Sequence, residues 1–336
     1  MSKRSPFWRA FTAHTPLGYT IIGQFNTELG PNFGAIRFTH VDKLLPRPYI
    51  IPGLPTLARP ALTPDGLRLP VRDGLTDIRA VERLDGALIA FYPLFDEDGS
   101  LVEVVPRTGD TVVALDTPWR PLGTLVRQAR HAGIEEAVRR QRAVFVFSLI
   151  GSANRRLVEY PFELRLFLHS VLRNNGRALA TYAQMRNWAN QYGLDLPTTR
   201  MEFDAKLGTA DMATRAAEAV QHEEQQNAGL PIGAHRTGGL HFWLSGRTGA
   251  ELLEWPARVG DRSGAGLDPV DVWQAMARLA DQCLPPTRDR LASALALDHP
   301  DMAHESSPPI LASAWESWAS RYPEAFSLAE EARLAV

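Results

Sequence analysis

Up to about residue 118 the apolar positions come in short β-prone runs, among them Gly18–Phe25, Ala35–Thr39 and Tyr49–Ile51, punctuated by glycine and proline. The clearest hairpin joins Ala87–Phe95 to Leu101–Val105 through the polar turn Asp96-Glu97-Asp98-Gly99-Ser100. Seven prolines between Leu45 and Pro70 predict extended, poorly hydrogen-bonded loop. Near Pro121 the period changes. Leu122, Leu125 and Val126 predict a helix over 121–142, with Arg127, Arg130, Arg139, Arg140 and Arg142 on its polar side. The run Ala143–Ile150 is apolar apart from Ser148, has the length of a strand and stops at Gly151, which predicts a buried central strand. Residues 156–162 are expected to pair with it. Leu164, Phe167, Leu168, Val171 and Leu172 fall at i, i+3, i+4, i+7 and i+8, so helix is expected from Glu163 and onward to about Asn227. Gly-rich loops and a short strand at Leu240–Leu244 follow. The C-terminal stretch then reads as helical again, behind Asp268-Pro269 and Pro308-Pro309. The expected class is α+β, a β-rich N-terminal portion followed by a predominantly helical C-terminal portion. Its divisions are a β-rich region over 1–118, a basic α/β-to-helical region over 119–228, and Gly-rich loops leading to an acidic helical region over 229–336.

Charge sharpens this picture. Between Trp119 and Arg200 there are 13 basic residues against five acidic ones, while residues 201–336 hold 11 and 20, and residues 1–118 hold 12 and 13. A formal net charge of −2 therefore hides a basic middle joined to an acidic tail, a skew that points to a polyanionic partner, above all nucleic acid. All basic residues but Lys3, Lys43 and Lys206 are arginines, whose planar fork suits phosphates and base edges. A GC-rich genome explains arginines spread along a whole chain, so only their local excess over carboxylates is informative. The single cysteine, Cys283, excludes an intrachain disulfide and a cysteine-cluster zinc site. His14, Pro16 and Gly18 break the run Phe11–Gly23, so no signal peptide is expected. No stretch approaches the ~20 apolar residues of a membrane span, and a reducing cytoplasm is the expected setting.

Residues 178–212 carry a spacing of their own. Ala189 is small where two helices would cross, Gly193 sits where a turn needs a left-handed residue, and Leu194 follows as an apolar plug. Thr198 is a candidate N-cap for a second helix whose Phe203 and Leu207 would face a core. The segment resembles a helix-turn-helix, in particular the winged-helix units that end some bacterial and phage replication proteins. That resemblance implies that Thr199, Arg200 and Lys206 lie near or on the exposed side of a groove-reading helix. Thr199 stands where a β-branched apolar residue is usual, and Glu202 and Asp204 oppose a phosphate-facing surface. An ordinary helical hairpin inside a larger domain reads the same residues equally well.

Catalytic signatures are missing. No Gly-x4-Gly-Lys-Ser/Thr loop exists, Gly-x-Ser-x-Gly is absent, and His222-Glu223-Glu224-Gln225-Gln226 begins like a zinc-protease helix but lacks its second histidine. His235-Arg236-Thr237-Gly238-Gly239-Leu240-His241-Phe242-Trp243 is either a phosphate loop or the lead-in to a strand. Asp298, His299, Asp301, His304 and Glu305 have the composition of a metal site and equally of a flexible loop. No catalytic residue, metal ligand or cofactor is assigned. Three functions compete. The first is a non-enzymatic nucleic-acid-binding protein of a plasmid, phage or defence system, contacting DNA or RNA through Arg139, Arg140, Arg142, Arg155, Arg156, Arg186, Thr198, Thr199, Arg200 and Lys206. The second is a structural or adaptor protein that meets a protein partner through C-terminal helices carrying Trp315 and Trp318. The third is a hydrolase with a metal near 298–305. The basic middle favours the first.

Overall fold

The computed structural model describes residues 7–256 apart from 28–32, 56, 64–65, 71–74, 110, 117–120, 155–157, 174–178, 205–207, 231–233 and 248. The short alternating runs at the front fold as an antiparallel meander, sheet I, of β1 (Trp8–His14), β2 (Thr20–Asn26), β3 (Ile36–Val41) and β4 (Lys43–Ile51). Phe11, Gly23, Phe38 and Tyr49 are paired across its four strands. Phe11 meets Phe38 edge-on at 6.0 Å and Phe38 stacks on Tyr92 at 5.8 Å, which fastens the meander to the rest of the chain. A small hairpin of β5 (Ala61–Thr63) and β6 (Gly66–Arg68) follows.

The remaining strands and helices are β7 (Leu75–Glu82), β8 (Ala87–Phe95), β9 (Leu101–Arg107), α1 (Leu122–Ala129), α2 (Ala132–Gln141), β10 (Val144–Ile150), β11 (Arg165–Leu172), α3 (Tyr182–Tyr192), β12 (Thr199–Phe203), α4 (Thr209–Asn227), β13 (Gly239–Gly246) and β14 (Ala250–Pro256). Sheet II has the order β11-β10-β8-β9 and sheet III the order β12-β7-β13-β14, with every neighbouring pair antiparallel. β10 is buried at all seven positions because it lies inside sheet II. Phe145 of β10 contacts Trp188 of α3, and the Arg130 guanidinium lies over the Phe91 ring, so helices cover the Phe91/Phe145 face of this sheet. Sheet III is backed by α4, whose Met212, Ala216 and Val220 pack with Ile78, Ala80, Phe203 and Phe242. Burying one such side chain contributes about 1.5–3 kcal/mol.

The architecture corrects the α+β expectation of a helical portion after residue 118. Of the described residues 44% are in strands and 23% in helices, and five strands lie beyond that point. The helix expected from Glu163 is β11. An apolar run of this length satisfies both periods, and β11 is held by pairing along the whole of β10. β10 thus pairs with β11 and β8, and of the described residues in 156–162 Val158 forms an isolated bridge, to His235. The helix expected over 121–142 is divided into α1 and α2, because Arg130 and His131 are both extended. In 178–212 the first helix forms as α3, capped by left-handed Gly193 (φ 64°) with Leu194 buried behind it. The second helix does not form: Thr199–Phe203 is β12, paired with β7. Part of the proline-rich 45–70 segment is strand as well, since β4 runs to Ile51. Sheets II and III each take strands from both sides of residue 118. The expected helices after Asp268 and the grouping at 298–305 lie outside the described residues.

Candidate functional site between the sheets

β7 and β8 are consecutive in sequence but belong to different sheets, so Arg83-Leu84-Asp85-Gly86 is the span that carries the chain from one to the other. Only glycine fits at 86. A Cβ there would lie 2.4 Å from the Leu149 carbonyl oxygen and 2.4 Å from Ile150 Cγ2. The crossover backbone is thereby pressed against the end of β10, with charged side chains at 83 and 85. Arg83 Nε donates to Glu254 Oε2 of β14 at 3.3 Å and Nη1 donates to the Gly238 carbonyl at 3.2 Å. Asp85 is buried; its N–H donates to Tyr160 Oη at 2.8 Å, and its Oδ2 accepts from the Val158 N–H at 3.3 Å.

Two histidines meet close to this crossover. Val146 pairs with Ser170 and Phe147 with Leu168, so His169 is the extra residue of a bulge in β11. Bulges re-aim side chains, and this one brings the His169 ring edge-on to His241 of β13 at 4.9 Å, across from sheet II to sheet III. Both are buried. Burial, reinforced by the Arg83 charge, holds His169 down to about 4, and burial with His169 and Arg83 keeps His241 well below the ordinary histidine value. His235 is also lowered by burial, against the pull of Asp85, and its buried Nε2 has no hydrogen-bond partner. At neutral pH the cluster therefore offers neutral imidazoles, able to donate and accept, around one permanent cation and the carboxylates Asp85 and Glu254. Such a set can recognise an anion that competes with Glu254 for the Arg83 fork. Among the described residues no group of three or more His, Cys, Asp or Glu side chains is arranged to hold a metal ion. No helix there is long and apolar enough to cross a membrane.

The described arginines among those singled out from the sequence do not converge on this cluster. Arg139 and Arg140 are exposed in the last turn of α2. Arg142 caps α2 in a left-handed conformation, with its guanidinium 4.7 Å from the Phe95 ring centroid and bonded to the Gly99 carbonyl. Arg186 is exposed on α3 and Thr198 lies exposed after it. The Thr199 hydroxyl is 3.0 Å from Tyr182 Oη. Arg200, expected on a groove-reading helix, is on β12, where it lies between Glu82 (3.6 Å) and Glu223 (3.4 Å). Arg155, Arg156 and Lys206 lie outside the described residues. Of the inter-sheet cluster, sequence reasoning had His235 and His241 in a single loop-or-strand motif and missed Arg83, Asp85, Tyr160 and Glu254. One signal was available: Glu82-Arg83-Leu84-Asp85-Gly86 interrupts two apolar runs with three charges and a glycine.

No protein-family model matches the sequence, and a search of curated proteins found no match. Comparison with solved structures did find a likeness. The fold is similar to that of an archaeal ATP-dependent RNA ligase. One form of that ligase superposes with a TM-score of 0.54 at 13% identity, covering 97% of this chain and 75% of its own. A second form gives 0.53 at 13% identity, covering 91% and 73%. At this identity the likeness is one of fold.

Proposed function

We propose that the protein is a nucleic-acid-binding protein built on a ligase-like fold, and that its inter-sheet cluster holds the phosphate of a nucleotide without forming a bond to it. The observation that carries this reading is Arg83. It stands where the chain crosses between the sheets, bonded to Glu254 by one 3.3 Å contact that an incoming phosphate can replace. The name of the similar structure, an ATP-dependent RNA ligase, supplies the ligand classes, a nucleotide and a nucleic acid. The chemistry at Arg83 argues for binding in place of group transfer. A guanidinium keeps its proton at any physiological pH and is no nucleophile. Burial and the Asp85 carboxylate hold the Tyr160 hydroxyl in its neutral form, well above the ordinary tyrosine value.

Calorimetric titration of the full chain with ATP tests the nucleotide half. Arg83→Ala should lose at least about tenfold in affinity, the loss expected for a charge-assisted contact. Glu254→Gln should bind more tightly, because the competing carboxylate is gone. ATP binding that ignores both changes, or a nucleotidyl adduct in the intact mass after incubation with ATP, would overturn the reading. A gel shift on mixed-sequence RNA and DNA at ~50 mM salt, where phosphate contacts are strongest, tests the nucleic-acid half.

A further inference from the structure

We propose that the groove between α1 and α2 binds the phosphodiester backbone of a nucleic-acid strand; this rests on the nucleic-acid reading above and gives it a surface separate from the inter-sheet cluster. Because Arg130 and His131 are extended, the end of α1 and the start of α2 meet over a groove of about 720 Å³, lined by Arg127, Arg130, His131, Arg139 and Arg140. Glu135 and Glu136 line it too. Arg130 pairs with Glu135 at 2.9 Å, Arg140 with Glu136 at 3.7 Å, and Arg127 with Asp116 at 3.1 Å from outside the groove. Arg139 has no ion-pair partner among the described residues, which leaves the groove one cation in excess.

Three features fit a phosphate backbone. The side chains of Arg127 and Arg140 are 61% and 72% exposed, and ion pairs of such exposure hold weakly, so these arginines exchange a carboxylate for a phosphate at little cost. The first turn of α2 adds a second attraction. Its N-cap His131 and first residue Ala132 both line the groove, which sets the positive end of the helix dipole at the groove's edge. Finally, Arg130 precedes the first turn of α2 and Arg139 and Arg140 lie in its last, about 14 Å apart along the helix axis. That span exceeds a single phosphate and suits a repeating anion.

Fluorescence anisotropy of the full chain with one short labelled single strand, made as RNA and as DNA, tests the proposal between ~50 and ~200 mM salt. The doubly substituted Arg139→Gln/Arg140→Gln protein should bind about tenfold more weakly at the lower salt, with a log–log salt slope smaller by about 1–2. Glu135→Gln/Glu136→Gln should bind more tightly, an effect that damage to the fold cannot imitate. Arg37→Gln, an exposed change on β3, should leave binding unchanged. Wild-type binding matched by both groove variants would overturn the groove assignment and leave the nucleic-acid reading standing. Variants that lose RNA but not DNA would also overturn it, since a backbone contact is common to both. A wild-type protein that binds neither strand ends the nucleic-acid reading and this inference with it.

Discussion

Arg200 lies between two carboxylates, Glu82 and the almost fully buried Glu223, and neither has a second ion-pair partner among the described residues. Burial raises Glu82 above the ordinary carboxylate range while Arg200 pulls it back down and Glu223 pushes it up. Removing the guanidinium leaves two like charges side by side with one Glu223 oxygen already lacking a partner. Arg200→Ala is therefore expected to destabilise the protein by roughly 1–3 kcal/mol, less than a fully buried pair would because the arginine is 34% exposed. The sign with pH follows. The variant lifts the folded-state value of Glu82, already above its unfolded one, further still, so the added loss of stability sets in as the pH rises through it. The drop in melting temperature should be larger at about pH 8 than at about pH 5. Equal drops at both, or a change in nucleic-acid preference with no change in melting, would return Arg200 to a binding role.

Among the elements, the crossover from β7 to β8 depends on one residue without a side chain. Gly86→Ala forces a methyl onto the Leu149 carbonyl and Ile150 Cγ2, so the end of β10 must move or the crossover must. Overpacking of this kind costs about 1–3 kcal/mol. Because Arg83 and Asp85 are carried on the same span, ATP affinity should fall together with stability. Denaturant unfolding and calorimetry on the one variant check this; unchanged values in both would show that the crossover is not pinched. The element level is also where the sequence read best. The hairpin of β8 and β9 and the buried strand β10 were legible because a polar Gly-containing turn and an unbroken apolar run each specify a local geometry. α3 was legible from its end, at Gly193. β11 and β12 were not, because their partners, β10 and β7, lie in other parts of the chain and override local preference.

For the molecule as a whole, the two buried histidines make stability depend on pH. Both sit below the unfolded value of about 6.5, so the unfolded chain takes up protons first as the pH falls. Stability is full above about pH 6.5 and declines toward pH 4, with His169 alone accounting for about 3 kcal/mol across that window. Glu82 and Glu103, both raised by burial, act in the opposite direction at acid pH, so the comparison that isolates the effect is between wild type and His169→Asn. The variant's denaturant-unfolding free energy should fall less between about pH 7 and about pH 5 than that of the wild type. Parallel curves would mean that His169 is protonated or solvated in the folded protein.

The sequence by itself determined what depends on near neighbours: the strand-rich front, the β8–β9 turn, the buried run of β10, the helix ending at Gly193 and the basic middle of the chain. Only the tertiary structure decided which strands share a sheet, that residues 163–172 and 199–203 are strands, and that Arg83, Asp85, Tyr160, His169, His235, His241 and Glu254 form one cluster. The physical reason is range. Turns and helix caps are set by backbone preferences over a few residues, whereas the cluster depends on strand register, a one-residue bulge at His169 and contacts such as Arg83–Glu254 that join residues 171 positions apart.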